Sequence, residues 1–237
     1  MISQRKLETI FASLAGRAQR GTFFRSIDLQ WLLKGTPLSA IGSRIHGGRY
    51  NPKAAFEAFY LADTQETALY ETQAIFNFAG RVVGVRQPPR VMLSLEYDLH
   101  DIVDLRAPTT LVSLGVTLDE LKEPWKLAQA ENRPVVTQRI GAAARAVDVE
   151  ALLVPSARVA AGSNLVVFPD RLRKKSSVNV FVGDEPTIAR YELEGQYESR
   201  IALHFSGPER RAIVRHVVTD PRGRALFSRS DRTGIIF

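Results

Sequence analysis

Three short stretches of the chain hold side chains that could do chemistry, none of them decisive singly. The first is Gly47-Gly48-Arg49-Tyr50-Asn51-Pro52. Paired glycines let the backbone approach a ligand closely, and an arginine can fork onto a pyrophosphate. The plainer reading is a glycine turn ahead of a strand, with a surface arginine. The second is Tyr60 with Glu71, which spacing sets at the edge of an apolar helix face beside Ala68 and Ile75, while Glu66 and Gln73 point to the polar side. A carboxylate at a core margin is costly unless partnered, so Glu71 is either a site residue or a rim residue in a salt bridge. The third is Ser156, where the apolar run Ala151-Leu-Leu-Val154 runs out into a loop of small residues, with Asn164 just before Leu165-Val-Val-Phe168. Polar groups at strand ends build sites, and they also build ordinary turns.

Other chemistries are excluded by what the chain lacks. It has no G-x-x-x-x-G-K-[ST], no G-x-G-x-x-G and no G-x-S-x-G. Cysteine is absent, which removes disulfides, iron–sulfur clusters, thiol catalysis and sulfur-ligated zinc, and fits a reducing compartment. His46, His100, His204 and His216 are scattered, so neither a metal site nor a histidine-based triad is expected. Any catalysis rests on Arg, Tyr, Glu and Ser.

The elements that must position these groups follow from periodicity. Leu7, Ile10, Phe11 and Leu14 fall at i, i+3, i+4 and i+7, which predicts an amphipathic helix over residues 3–19 that packs on its own domain. It has no uninterrupted apolar region of the secretory-signal kind. Residues 21–55, punctuated by seven Gly and Pro from Gly21 to Pro52, read as backbone-dominated loops. Phe56 to Ala62 reads as a strand with Phe56, Ala58 and Tyr60 on one face and Phe59 and Leu61 on the other. Asp63 and Glu66 resemble a capping box that opens a helix through about Phe78, and Thr117 with Glu120 a second one that Pro124 limits. Strands are expected around the Pro88-Pro89 turn, at 151–154, 165–168, 178–182 and 212–218, and a helix over 135–147. The result is a mixed α/β chain without internal repeats.

Composition narrows the class. A chain of 237 residues with 45% hydrophobic and 24% charged side chains is globular, neither disordered nor fibrous. No run approaches the roughly 18 apolar residues of a membrane span. Lys plus Arg number 32 against 25 acids, a net charge of +7, and 25 of the basic residues are arginine. That balance attracts nucleic acid, anionic cofactors or an acidic partner without choosing among them, and a GC-rich genome produces it as well. The Arg171-Leu-Arg-Lys-Lys175 run reads as a solvated loop.

Taken in order, Gly48-Arg49-Tyr50-Asn51-Pro52, Phe59-Tyr60-Leu61-Ala62, Thr67-Ala-Leu-Tyr-Glu71, Leu153-Val-Pro-Ser156 and Asn164-Leu-Val-Val-Phe-Pro169 resemble the RES-domain family, the toxin half of bacterial RES–Xre toxin–antitoxin pairs. The likeness covers roughly residues 21–170 and rests on the ordered set. It implies an α/β (α+β) ADP-ribosyltransferase-like fold, with a split, mainly antiparallel β-sheet flanked by helices. The implied layout is an N-terminal amphipathic helix (1–20), a catalytic domain (21–175) and a C-terminal extension (176–237) packed on the same domain.

The implied activity is cleavage of NAD+ at the nicotinamide–ribose bond, as glycohydrolase or phosphorylase, without a metal. The implied setting is a cytoplasmic toxin restrained by a cognate, Xre-type antitoxin, with no membrane contact and nucleic acid reached only through that antitoxin. By matching position, Glu71 is the catalytic carboxylate, Arg49 and Tyr60 bind NAD+, and Ser156 is the third site residue. Asn164 and, by a weaker match, Arg25 join the NAD+-binding set. Glu71 would stabilise an oxocarbenium-like ribose while Arg49 holds the pyrophosphate and Tyr60 stacks on nicotinamide. The departures are Tyr50 in place of a frequent tryptophan, an extra leading helix and everything after about residue 175, within which residues 197–237 carry eight arginines against four acids. The alternatives are a protein ADP-ribosyltransferase using the same site and a non-catalytic basic binding module. The latter lacks aromatics interleaved with its basic clusters.

Overall fold

The computed structural model describes residues 2–180, apart from 35 and 132, and beyond these the strands at 192–193, 197–206, 211–219 and 225–230. Helix α1 (Gln4–Ser13) is capped by the Ser3 side chain and ends well before residue 19, because the backbone turns extended at Leu14. Strand β1 (Arg17–Asp28) follows where loops were expected from residue 21. Its alternation of Phe23, Arg25 and Ile27 was masked by Gly21 and by the loop signals after it. Gly21 lies close against Tyr97, where a Cβ would sit 3.1–3.3 Å from that side chain. Two short helices, α2 (Leu29–Leu33) and α3 (Ile41–His46), lead to β2 (Phe59–Ala62), which is shorter than the expected 56–62.

Helix α4 (Gln65–Glu71) corrects the reading of its start and its end. Thr64, not Asp63, is the N-cap, its side chain accepting from the Thr67 N–H at 3.0 Å. Asp63 instead accepts from the Ser163 N–H at 2.7 Å, tying two strands together. The helix stops at Glu71 rather than Phe78, and Gln73, at φ 59°, turns the chain into a hairpin of β3 (Ile75–Phe78) and β4 (Arg81–Gly84). Ile75 therefore does not share a helix face with Glu71. The hairpin exposes Phe76, Phe78, Val82 and Val83.

Strand β5 (Arg90–Asp104) begins after the Pro88-Pro89 turn. Then come α5 (Pro108–Leu114), α6 (Leu118–Lys122) with its Thr117–Glu120 capping box, α7 (Trp125–Ala130) and α8 (Val136–Ala146). The chain returns through β6 (Ala151–Pro155), β7 (Ser163–Val167), a 3-10 turn at Pro169–Arg171 and β8 (Ser177–Val180). Residues 181 and 182 of the expected strand lie outside the described residues. Strands β9 (Glu192–Leu193), β10 (Tyr197–Ser206), β11 (Arg211–Thr219) and β12 (Ala225–Ser230) form a separate antiparallel sheet ordered β12-β11-β10-β9. The expected packing of the C-terminal extension turns largely on residues outside the described ones.

The main sheet runs β1-β2-β7-β6-β5-β8, and β1 also lies along β5, so the sheet curls back on itself. Among the described residues, β5–β6 is the one parallel pairing of this sheet. The β1–β2 seam is a single pair, Phe24 opposite Ala62, and there the sheet is split. Because β8 pairs with β5, the sheet extends past residue 175. Inside the curl lie Phe23, Phe59, Leu61, Leu95, Leu165 and their neighbours. The outer face of β2, β6 and β7 packs Ala58, Leu152, Val154 and Val166 against Leu7 and Phe11 of α1 and Ile140, Ala143 and Ala144 of α8. The two faces of the Phe56–Ala62 segment divide as the alternation predicts, Phe56, Ala58 and Tyr60 outward and Phe59 and Leu61 inward. All five residues of β6 are buried, as a strand covered on both faces must be.

Glu150, fully buried just before β6, anchors the far side of this sheet. Its carboxylate accepts from the N–H groups of His100 (2.6 Å), Asp101 (2.8 Å) and Arg173 (2.7 Å). Burial alone would raise its pKa, but these bonds and one from Ser176 outweigh burial and hold it below the usual carboxylate value. A depressed carboxylate stabilises the fold above its unfolded-state pKa, and that stability is lost as pH falls through the folded value. Glu150→Gln is therefore expected to lose about 2 kcal/mol near neutral pH. The gap to the parent should close as pH falls below the ordinary carboxylate range, read from urea denaturation across a pH series.

Candidate active site

The groups singled out in the sequence converge where β2, β6 and β7 end together. Ala62 of β2 and Val154 of β6 both pair with Asn164 of β7, so Ser156, one residue beyond β6, comes beside Asn164. Helix α4 leaves β2 at the same edge and delivers Glu71 in its last turn. The Ser156 hydroxyl donates to Glu71 Oε1 at 2.6 Å, and Asn164 Nδ2 donates to the same oxygen at 2.7 Å. Among the described residues both bonds fall on Oε1, and Oε2 takes none. The Ser156 oxygen in turn accepts from the N–H groups of Arg158 (3.1 Å) and Val159 (3.0 Å). The hydroxyl thus gives its proton to Glu71 and takes two N–H groups on its oxygen.

The Gly47–Asn51 turn forms the opposite wall. Gly48 N–H donates to the Asn51 carbonyl at 2.9 Å, closing the turn. Tyr60 reaches it from β2, its hydroxyl donating to Asn51 Oδ1 (2.7 Å) and accepting from the Tyr50 N–H (2.9 Å). A Cβ on Gly48 would lie 2.4 Å from the Tyr60 hydroxyl, so only glycine admits this bond. Asn51, fully buried, donates from Nδ2 to the carbonyls of Ser43 (2.7 Å) and Phe56 (3.2 Å). Tyr60 is thus a strut as well as a ring that borders the site.

Arg49 projects from the turn and donates through Nη1 to the carbonyls of Leu121 (3.1 Å) and Glu123 (2.6 Å) at the end of α6. Nε and Nη2, one edge of the guanidinium fork, carry no partner among the described residues. Burial lowers its pKa, Tyr50, Glu71 and Tyr60 oppose that shift, and Arg158 adds to it. Burial raises both the Tyr50 and the Tyr60 phenols, so each is neutral at physiological pH. The site therefore groups two guanidinium charges, Arg49 and Arg158, with one carboxylate.

Arg25 stands apart from this group. It shares the inner face of β1 with Phe23 and Ile27, 5.3 Å over the Phe59 ring, whereas Tyr60 lies on the outer face. Its guanidinium donates to the carbonyls of Ser39 (2.9 Å) and Pro37 (3.5 Å), and burial, with help from Arg90, lowers its pKa to about 10. These bonds hold the loop ahead of α3.

Sequence reading passed over Gln138 and Gly141 on α8. Gln138 Nε2 donates to the Gly48 carbonyl at 3.0 Å and to Gln129 Oε1 at 2.9 Å. A Cβ on Gly141 would fall 1.8 Å from the Tyr50 carbonyl oxygen, so the helix and the turn touch backbone to backbone. A glycine inside the alanine-rich Gly141-Ala-Ala-Ala stretch was the one available signal, since alanine is the better helix former. Among the described residues no group of three or more His, Asp or Glu could hold a metal ion, and no helix is long and apolar enough to cross a membrane.

The RES-domain family model matches residues 22–188. The chain belongs to the RES family. It is 29% identical over 158 residues, 60% of this chain and 75% of the relative, to the NAD(+) phosphorylase MbcT of Mycobacterium bovis and of Mycobacterium tuberculosis. Its fold matches a chain in the crystal structure of the M. tuberculosis MbcT–MbcA toxin–antitoxin complex, with a TM-score of 0.51 and 21% identity over 74% of this chain and 92% of that one. The mixed α/β, mainly antiparallel architecture is thus that of the family, and the RES match, like the sheet, runs past residue 175.

Within this RES domain the two tyrosines of the turn separate cleanly. Tyr50 is fully buried and its hydroxyl has no hydrogen-bond partner among the described residues. An unpaired buried hydroxyl is destabilising, whereas a bridging one is not replaceable by hydrogen. Tyr50→Phe should be neutral or more stable than the parent, and Tyr60→Phe less stable by about 1–3 kcal/mol, as equilibrium urea unfolding would report.

Proposed function

We propose that this chain is a bacterial toxin that consumes NAD+ by breaking the nicotinamide–ribose bond, with phosphate as the acceptor, and so arrests growth. The observation that carries the reading is the Glu71 carboxylate, fixed through Oε1 by Ser156 and Asn164 and without a hydrogen bond at Oε2 among the described residues, with the Arg49 charge beside it. The match to relatives named NAD(+) phosphorylase supports phosphate over water.

In the reaction the C1′–N bond breaks and its electron pair leaves with neutral nicotinamide. Positive charge develops on the ribose ring. Glu71 Oε2 faces that charge and holds it electrostatically; because Oε1 is already bonded, the carboxylate needs no reorganisation as the charge forms. The free edge of Arg49 binds the pyrophosphate, and the Tyr60 ring, locked by its hydroxyl, walls the nicotinamide side. A phosphate oxygen then forms a bond to C1′, giving ADP-ribose 1″-phosphate. Nothing in these steps calls for a metal.

A cognate antitoxin of the Xre type, acting in the cytoplasm, is the proposed restraint. The relative's structure as a toxin–antitoxin complex supports an antitoxin partner, and the cationic pair at the site suits an acidic blocking segment.

Glu71→Gln should lower NAD+ turnover by at least about a thousandfold while leaving the melting temperature near that of the parent. Arg49→Ala should raise the KM for NAD+ by about tenfold or more. Chromatographic assay of NAD+ and its products checks both, and near-parent turnover in Glu71→Gln would overturn the assignment.

A further inference from the structure

Ser156 to Gly162 form a pinned loop. Ser156 N–H donates to the Gly162 carbonyl at 2.8 Å, Gly162 N–H donates to the Val159 carbonyl at 3.0 Å, and the Ser156 oxygen takes the N–H groups of Arg158 and Val159. Gly162 is packed so closely that a Cβ would stand 3.0 Å from Thr67 Oγ1 on α4 and 3.2 Å from the Ser156 Cβ. The backbone of Arg158 is therefore set two residues from the Ser156–Glu71 bond. Its side chain is exposed, and it has no hydrogen bond or ion pair among the described residues. It is the single charged residue of the Pro155–Asn164 stretch.

The two arginines of the site are held in opposite ways. Arg49 is braced by two carbonyls and offers one fixed edge, as suits a group that must hold a large substrate in register. Arg158 has a fixed root and a free head. Arg158 has no carboxylate partner among the described residues, while Glu71 Oε1 is taken by Ser156 and Asn164, one Asp63 oxygen by Ser163, and Asp104 by Arg106, whose other arm goes to the Ser163 hydroxyl. The charge of Arg158 also bears unfavourably on Arg49, a repulsion that a bound anion would relieve.

We propose that Arg158 forms the subsite for the acceptor phosphate, separate from the arginine that grips the dinucleotide. This rests on the NAD+-cleaving reading above. An unbraced guanidinium at the rim binds and releases an inorganic anion each turnover, and delivers its oxygen to C1′ beside Glu71. It thereby favours phosphorolysis over hydrolysis in a site that water can also enter.

The test uses the full chain with NAD+ and inorganic phosphate, following nicotinamide, ADP-ribose and ADP-ribose 1″-phosphate at varied phosphate. The parent should show a saturable phosphate dependence. Arg158→Ala should raise the KM for phosphate by about tenfold or more, move products toward ADP-ribose, and change the KM for NAD+ by less than about twofold. Arg158→Lys, which keeps the charge but loses the fork, should fall between them. An unaltered phosphate KM in Arg158→Ala, or a rise confined to the KM for NAD+, overturns the subsite. NAD+ loss in the parent that ignores phosphate overturns the subsite and leaves NAD+ cleavage standing, whereas no NAD+ loss in any buffer overturns both. Thermal melting of the exposed-residue variants verifies that the fold is intact.

Discussion

One carboxylate oxygen joins the site together. Glu71 Oε1 accepts from residues 85 and 93 positions away in the chain, so its two hydrogen bonds bring together the end of α4, the exit of β6 and the start of β7. Each participant is placed by something ordinary: a Thr64 cap for the helix, a strand fully buried on both faces before Ser156, an antiparallel register that sets Asn164 beside it. A partly buried carboxylate with two donors on one oxygen is held in orientation, its second oxygen unbonded among the described residues. The remainder of the sheet serves to hold that geometry against a seam of one residue pair between β1 and β2.

The residues of the site were legible because each lies in a short motif of fixed type, and their order along the chain was informative where single motifs were not. Glu71 is the instructive case. Helical-wheel reasoning placed it beside Ile75, yet the helix ends at Glu71 itself, and its partners come from distant strands. A short helix followed by a left-handed Gln73 leaves almost no local trace, since glutamine is not a residue that announces a turn. Strand β1 was missed for the opposite reason. Its glycine reads locally as a loop signal, but the long partner β5 supplies a register that overrides it.

Contacts between backbones were the least legible. Nothing in the sequence pairs Gly141 with Tyr50, because the signal for a close approach is an absent side chain. Arg25 shows another limit: a weaker match to the family pattern put it in the NAD+-binding set, and strand alternation, once β1 is known, sets it on the inner face over Phe59.

Helix α8 connects parts of the chain that motif reading keeps separate. One side of it touches the Gly47–Asn51 turn through Gln138 and Gly141, while Arg139 bonds the Ile2 carbonyl and accepts from Gln4 at its own carbonyl. Leu7 and Phe11 of α1 sit in the same cluster as Ile140 and Ala143. The first helix, which precedes the matched RES span, is in this way geared to the wall that carries Arg49. Helix α1 thus packs on the same helix that meets the Tyr50 backbone at Gly141, where any side chain larger than hydrogen would separate the two.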